Sequence, residues 1–108
     1  TIKPGRSVSI GRKKGNNIII DNPAISSSHA KLDYLEEGFL LSDLRSKNGT
    51  FVNGETVETS RWLKNGDVIS IGRYLLVFSM DENEVLNIVA EADDLMNVTV
   101  VHNPDELI

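Results

Sequence analysis

The chain has 108 residues, of which 40% are hydrophobic and 25% charged, and it contains no cysteine. This length and composition suit one folded domain with a modest core and exclude a disordered segment, while the lack of cysteine excludes disulfides and thiolate metal sites. The net charge of −5 argues against general nucleic-acid binding, which needs a basic face, so any anion site must be local.

The sequence offers no sign of a membrane segment or of a metal centre. No apolar run is long enough to cross a bilayer and no secretory signal pattern is present, so we expect a cytoplasmic protein with no membrane partner. The histidines, His29 and His102, lack metal-ligand spacing. We therefore expect neither a metal nor a cofactor.

Short strand patterns alternate with Gly, Asn and Asp turns along the first part of the chain. Residues 7–10 and 31–34 alternate polar and apolar side chains, as a strand with one buried face does. Strands separated by turns at about eight- to twelve-residue intervals are typical of a β-sandwich or barrel. Further strands are predicted over 18–20, 39–41, 50–52, 55–58, 68–71 and 74–78.

Two Asn-Gly pairs surround the short strand predicted over 50–52. Asn48-Gly49 and Asn53-Gly54 both tolerate the positive φ that a tight hairpin turn requires, so both are predicted to be turns. The sole tryptophan, Trp62, is expected to lie in the core.

The character of the sequence changes after residue 80. Residues 82–96 contain neither Gly nor Pro, and their apolar residues recur near helical spacing, which predicts an amphipathic helix. Residues 97–101 are predicted to form a further strand or an extended tail. We expect one domain over 1–80 and a helical or extended linker over 81–108, of the kind that can lead to a further domain.

Cationic and neutral hydrogen-bonding side chains collect in three loops that follow predicted strands. Loops at one end of a sandwich can converge on a rigid scaffold, and this set can hold an anion. Neither paired carboxylates nor an activated nucleophile accompany it, which indicates binding without catalysis. The residues are Arg12 in the first loop, Ser26 and Ser27 in the second, and Ser46, Lys47 and Asn48 in the third.

Two other interpretations of these loops are weaker. The run Gly11-Arg12-Lys13-Lys14-Gly15 resembles a phosphate-cradling loop but lacks the Gly-Lys-Ser/Thr ending of a nucleotide P-loop, and a solvated loop explains its lysines. The neighbours Ser28 and His29 do not suit a serine-protease triad, since adjacent side chains of a strand point to opposite faces.

Five motifs, in order and with suitable gaps, resemble the forkhead-associated (FHA) domain, a phosphothreonine-peptide recognition module. They are GR at 11–12, SSSH at 26–29, NGTFVNG at 48–54, LKNGD at 63–67 and ISIG at 69–72. The resemblance covers about residues 1–80. It implies an all-β sandwich of two antiparallel sheets whose loops bind the ligand at one end.

The resemblance also implies a role for each site residue. Arg12 would pair with the phosphate, Ser26 would donate its hydroxyl to a phosphate oxygen, and Asn48 would hydrogen-bond the peptide main chain. Ser27 would touch the peptide backbone, and Lys47 would lie near the phosphate. Structural support is expected from Gly11, His29, Gly49, Thr50 and Asn53. Of these, His29 would brace the loop that carries Ser26 and Ser27, called the serine loop below.

The partner implied is a phosphothreonine-containing protein, or a phosphothreonine on the parent chain itself. The uncharged pair Ala24 and Ile25 favours an apolar residue three places after the phosphothreonine. Two other functions stay open: a structural or oligomerisation sandwich without a phosphopeptide ligand, and, more remotely, a phosphate-ester enzyme.

Overall fold

The computed structural model describes residues 5–80 and 85–91, which contain ten strands and no helix. The strands are β1 Ser7–Gly11, β2 Ile18–Ile19, β3 Ala30–Leu35, β4 Gly38–Asp43, β5 Thr50–Val52, β6 Glu55–Thr56, β7 Ser60–Trp62, β8 Val68–Ile71, β9 Tyr74–Phe78 and β10 Leu86–Glu91. Every strand predicted over the first 80 residues is present. Accordingly, the described ranges contain no helix that could cross a membrane.

The strands form two five-stranded sheets, in the orders β2-β1-β3-β4-β7 and β10-β9-β8-β5-β6. One continuous core fills the space between them, and Phe39 of the first sheet meets Phe78 of the second edge to face, with ring centroids 5.0 Å apart. The predicted β-sandwich is confirmed. Its buried residues include Ile10, Leu32 and Leu41 from one sheet and Val52, Ile69, Ile71 and Leu76 from the other.

One strand pair departs from the antiparallel arrangement that the resemblance implies. Strands β1 and β2 are parallel, with Ile10 opposite Ile18. The intervening loop folds back along β1, because the Asn17 side chain accepts a 2.8 Å hydrogen bond from the backbone N–H of Ser9 and its own N–H donates to Ser9 Oγ at 3.0 Å. These contacts start β2 beside β1 in the same direction.

The helix predicted over 82–96 is wrong for Leu86–Glu91, which forms strand β10. This strand pairs antiparallel with β9, with Leu86 opposite Phe78. Val85 and Leu86 are buried in the common core. The rest of the predicted helix and the segment 97–101 lie outside the described residues, and the division of the chain at residue 80 stays a prediction.

Trp62 does not lie in the core as predicted. Its side chain is 50% exposed on β7, the edge strand next to β4. Side chains alternate along a strand, and the register here turns Arg61 toward the second sheet, where its guanidinium contacts the Val52 carbonyl and Glu55. Trp62 therefore faces outward, close to Gly38 of the neighbouring strand.

The two Asn-Gly pairs have different roles. Asn53 and Gly54 have φ values of 50° and 84° and join β5 to β6 as a hairpin, which confirms the predicted turn. Asn48-Gly49 is not a hairpin turn, because β4 and β5 belong to different sheets. Gly49, with φ at 91°, ends the loop that crosses between the sheets.

Candidate functional site

The three polar loops predicted from the sequence lie at the same end of the sandwich. The β1–β2 loop begins beside the serine loop, since the Arg12 N–H donates to the Ser26 carbonyl at 3.0 Å. The Arg12 side chain is exposed, and none of the described residues offers it a hydrogen bond or a carboxylate within 4 Å. Its guanidinium is free to meet a ligand.

A tight contact holds the β1–β2 loop against the serine loop. Asn16 Nδ2 donates to the carbonyl oxygens of Lys13 at 2.7 Å and Ser27 at 2.8 Å, so one amide joins both loops. Gly11 lies under this contact, where a Cβ atom would clash with the Ser27 carbonyl oxygen and stand 2.7 Å from Asn16 Nδ2. Only glycine permits this approach.

Replacing Gly11 by alanine is therefore expected to push the two loops apart. Overpacking of this kind costs about 1–3 kcal/mol, which lowers the melting temperature by several degrees in a domain of this size. Differential scanning calorimetry of Gly11→Ala measures the loss. An unchanged melting temperature would contradict the close packing described for Gly11.

The Ser26 hydroxyl is oriented by the third loop. Ser26 Oγ accepts a 2.8 Å hydrogen bond from the backbone N–H of Lys47, and its own hydrogen has no acceptor among the described residues. That hydrogen can be donated to a phosphate oxygen. The Lys47 side chain is exposed and makes no ion pair within the described ranges, so the residue whose backbone holds this hydroxyl also carries an unpaired cation.

Asn48 is held by one half of its amide only. Nδ2 donates to the Ala24 carbonyl at 2.7 Å, whereas Oδ1 accepts no hydrogen bond from the residues the structure describes. The fixed Oδ1 is available to a backbone N–H of a bound peptide. Ser27 is also exposed, and its hydroxyl has no partner in the same part of the chain.

His29 connects the serine loop to the β4–β5 loop from beneath. The fully buried imidazole accepts from the Ser26 N–H at Nδ1, at 3.1 Å, and Nε2 lies 2.9 Å from the Gly49 carbonyl oxygen. Because Nδ1 must accept and the carbonyl cannot donate, the geometry requires a neutral ring with its hydrogen on Nε2. His29 thus bridges the serine loop and the β4–β5 loop from the protein interior.

Asp43 fixes the shape of the β4–β5 loop. Its Oδ1 accepts from Ser46 Oγ at 2.5 Å and from the buried Thr50 hydroxyl at 2.7 Å, and its Oδ2 accepts from the Ser46 N–H at 3.1 Å. Burial of Asp43 works to raise its pKa, but the hydrogen bonds from Ser46 and Thr50 outweigh it and lower the pKa below its ordinary value of 3.8.

This lowered pKa predicts an acid-dependent loss of stability. Because the folded-state pKa lies below the unfolded value, the ionised carboxylate stabilises the fold fully above about pH 4–5 and loses that effect as the pH falls through the folded pKa. Asp43→Asn removes charge-assisted hydrogen bonds and is expected to cost about 1–3 kcal/mol at neutral pH.

Urea unfolding of wild type and Asp43→Asn between pH 7 and pH 2.5 measures this effect. The stability difference between the two proteins should stay constant above about pH 5 and shrink below pH 3.8. A difference that does not change with pH would contradict the role given to the Asp43 carboxylate.

Two predicted residues lie differently from expectation. Ser46, expected to be one of the anion-holding donors, has its hydroxyl hydrogen on Asp43 and accepts from the Gly49 N–H at 2.9 Å, so it shapes the loop instead. Asn53 fixes the β5–β6 turn through Asp67 and the Val68 N–H. This turn is at the opposite end of β5, roughly 10 Å along the strand from Thr50 at the site end.

Sequence reasoning missed two supporting residues, Asn16 and Asp43. For Asp43 a signal existed, since an Asp three residues before a Ser is typical of a side chain that caps a turn. Nothing local distinguishes Asn16 from its neighbour Asn17. Its function depends on a carbonyl eleven residues away.

The assembled site presents donors of hydrogen bonds and positive charge. Arg12, Lys47, the Ser26 hydroxyl and the Asn48 amide border one surface at the tip of the sandwich. The carboxylate of Asp43, at the end of β4, is occupied by internal hydrogen bonds. No cluster of potential metal ligands occurs within residues 5–80 and 85–91. This chemistry suits a bound anion.

The family model described as FHA domain matches residues 8–72. This chain belongs to the FHA domain family. The match includes both loops that carry Arg12 and Ser26 and the loop that carries Asn48, so the residues assembled at the tip are those of the family's own loops.

Known proteins with similar FHA domains include a bacterial regulator. The glycogen accumulation regulator GarA of Mycobacterium tuberculosis is 40% identical over 70 residues, which are 65% of this chain and 43% of GarA. The first curated relatives are all longer, and this chain spans less than half the length of each.

Solved structures of FHA domains share the fold. Mycobacterium tuberculosis EmbR in complex with a low-affinity phosphopeptide has a TM-score of 0.67 and 31% identity, covering 68% of this chain and 20% of EmbR. A structure solved for analysis of phosphothreonine-dependent FHA domain interactions has a TM-score of 0.59 and 34% identity, covering 66% of this chain and 72% of that domain.

Proposed function

We propose that this FHA domain binds a phosphothreonine-containing segment of a partner protein and acts as a signalling or assembly adaptor. The observation that carries the proposal is the unsatisfied hydrogen of the Ser26 hydroxyl, because Ser26 is hydrogen-bonded to the backbone N–H groups of Arg12 and Lys47, two residues whose cationic side chains have no ion-pair partner among the described residues. The EmbR phosphopeptide complex and the phosphothreonine-dependent FHA structure support the ligand class.

The physical match to a phosphate is specific. A phosphothreonine carries about −1.5 to −2 charges at neutral pH and three strong acceptor oxygens, which complement two cations and a hydroxyl donor. A carboxylate has less charge and fewer oxygens. Glutamate is therefore a poor substitute for phosphothreonine. The site binds without catalysing a reaction, since the Asp43 carboxylate is engaged by Ser46 and Thr50 and is not available as a base.

The free Oδ1 of Asn48 gives the site a way to hold the peptide main chain. With its Nδ2 tied to the Ala24 carbonyl, the amide cannot rotate away, and it orients the residue next to the phosphothreonine. Of the pair expected to read the third following residue, Ile25 is 1% exposed, so only Ala24 can face the ligand. An apolar preference at that position then depends on Ala24 and its neighbours.

A fluorescence-labelled peptide library tests the proposal. We expect the wild-type domain to bind a subset of phosphothreonine peptides with micromolar affinity and to bind the same peptides with unmodified threonine or with glutamate at least about 100-fold more weakly. Equal binding of the phosphorylated and unmodified sets, or no binding of either, would overturn the proposal and favour a structural sandwich.

Two further proposals concern the origin of the phosphothreonine and the location of the domain. The phosphothreonine can belong to the parent chain, which would make the domain an internal switch, and exposed Thr56 and Thr59 are candidates. A cytoplasmic location, where protein kinases and their substrates meet, agrees with this ligand. Mass spectrometry of the parent protein isolated from its own cells detects such phosphorylation.

A further inference from the structure

The charges of this domain are distributed unevenly between its two ends. The net charge is −5, yet the loops at the site end hold six of the eleven Lys and Arg residues: Arg12, Lys13, Lys14, Arg45, Lys47 and Arg73. At the other end, the β3–β4 turn carries Glu36 and Glu37, and Glu55 and Asp67 lie there together with Lys64. An acidic protein thus presents a local basic surface around its candidate site.

The cations of the β1–β2 loop are not used within the fold. Lys13 and Lys14 are exposed, and neither makes an ion pair or a side-chain hydrogen bond with any residue the structure describes. Two basic residues away from this end are paired instead, Lys31 with Asp33 and Arg61 with Glu55. Asp21, which follows β2 nearby, lies beyond ion-pair distance of both lysines.

The backbone that carries these lysines is fixed. The Lys13 N–H donates to the Ser27 carbonyl at 3.3 Å, and the Lys13 carbonyl accepts from the Asn16 amide at 2.7 Å. Gly15, with φ at 107°, allows the sharp turn between Lys13 and Asn16. The backbone of the two lysines therefore has a set place beside Ser27 of the serine loop.

We infer that the ligand carries a second anionic group close to its phosphothreonine, and that Lys13 and Lys14 recognise it. This inference rests on the proposed function. Arg12 and Lys47 together balance the charge of about −1.5 to −2 on the first phosphate, which leaves the two lysines to an aspartate, a glutamate or a second phosphorylated residue. Lys13 and Lys14 directly follow Arg12 in the chain, and an extended peptide advances about 3.3 Å per residue, so we expect this group within about three residues of the phosphothreonine.

The test uses phosphothreonine peptides with otherwise neutral flanks. Asp is placed in turn at each of the four positions on either side, and a second phosphothreonine replaces the most effective Asp. The proteins are wild type, the double variant Lys13→Gln/Lys14→Gln, and Lys64→Gln. Lys64 is an exposed lysine at the opposite end and serves as the matched control. Fluorescence anisotropy gives each Kd at low and at physiological salt.

In wild type, one Asp position is expected to tighten binding about threefold, and a second phosphate about tenfold, with a smaller gain at higher salt. The double variant should lose this gain while it still binds the neutral-flank peptide and melts at an unchanged temperature. Lys64→Gln should behave as wild type.

The outcomes separate this inference from the proposed function. Binding of the neutral peptide with no gain from any acidic position, or with a gain that survives in the double variant, overturns the inference alone. Lysine-dependent binding of single-stranded DNA or anionic vesicles as tight as that of the doubly anionic peptide also overturns it. If no phosphothreonine peptide binds wild type, both fail together.

Discussion

Arg12→Ala is expected to reduce the affinity for a phosphothreonine peptide by at least about 100-fold. A guanidinium can make two parallel charge-assisted hydrogen bonds to a phosphate, each contributing on the order of 1.5–3 kcal/mol, which is much of the roughly 8 kcal/mol that a micromolar affinity represents. Isothermal titration calorimetry with a peptide selected from the library measures the loss.

The fold should tolerate this change. Arg12 contacts the serine loop through its backbone N–H, which alanine retains, and its exposed side chain makes no hydrogen bond or ion pair with the described residues. We expect an unchanged melting temperature. Arg12→Lys keeps the charge without the planar fork and should bind with intermediate affinity. Wild-type affinity in Arg12→Ala would show that the guanidinium does not hold the phosphate.

His29→Ala is expected to lose stability and binding together. The substitution removes a fully buried ring and leaves the Ser26 N–H and the Gly49 carbonyl without their partner. Each unsatisfied buried group costs about 1–3 kcal/mol, so a total of about 3 kcal/mol or more is expected, which lowers the melting temperature by more than 10 °C.

His29→Gln provides the comparison for this variant. A glutamine amide supplies one acceptor and one donor, so it can replace part of the bridge and should recover part of the stability. Thermal unfolding and peptide titration of both variants give the two readouts. If His29→Ala kept its stability and lost only affinity, His29 would be a ligand contact and the bridging role would be wrong.

Local patterns predicted most of the strands because each strand here is short and half-buried. Alternation marked β1 and β3, and the apolar β-branched and aromatic residues marked β8 and β9. The pair Asn53-Gly54 predicted its hairpin because the two φ values it needs are a local property. The same reasoning fails for Asn48-Gly49, because β4 and β5 pair with strands of different sheets. Those pairing partners are distant in sequence and cannot be inferred from the turn residues.

Strand β10 shows why the helix prediction is wrong over Leu86–Glu91. Its pairing with β9 shifts register between Ile88 and Ala90, and the extra residue breaks the two-residue alternation that identifies a strand. The remaining apolar spacing then fits a helix. Whether Leu86–Glu91 forms a strand depends on pairing with the edge of β9, and the local sequence gives no information about that edge.

The sequence predicted the side chains proposed to face the ligand, but it did not predict all the contacts that hold their loops in place. The motifs placed Arg12, Ser26 and Asn48 in loops that the structure brings together. The role of Asn16 depends on its contact with the Ser27 carbonyl in another loop. The role of Asp43 depends on the geometry of the turn to Ser46. Residue types alone do not specify either contact. Their roles follow only from distances.

The central claim is that one tip of the sandwich binds the phosphothreonine. The most direct test is a titration of the ¹⁵N-labelled domain with a selected phosphothreonine peptide, followed by amide chemical shifts. We predict large shifts confined to residues 11–17, 24–29 and 44–50, with the turns at 53–54 and 64–67 unchanged and no shifts from the unphosphorylated peptide. Shifts centred on the opposite end, or on the outer face around Trp62, would contradict the account.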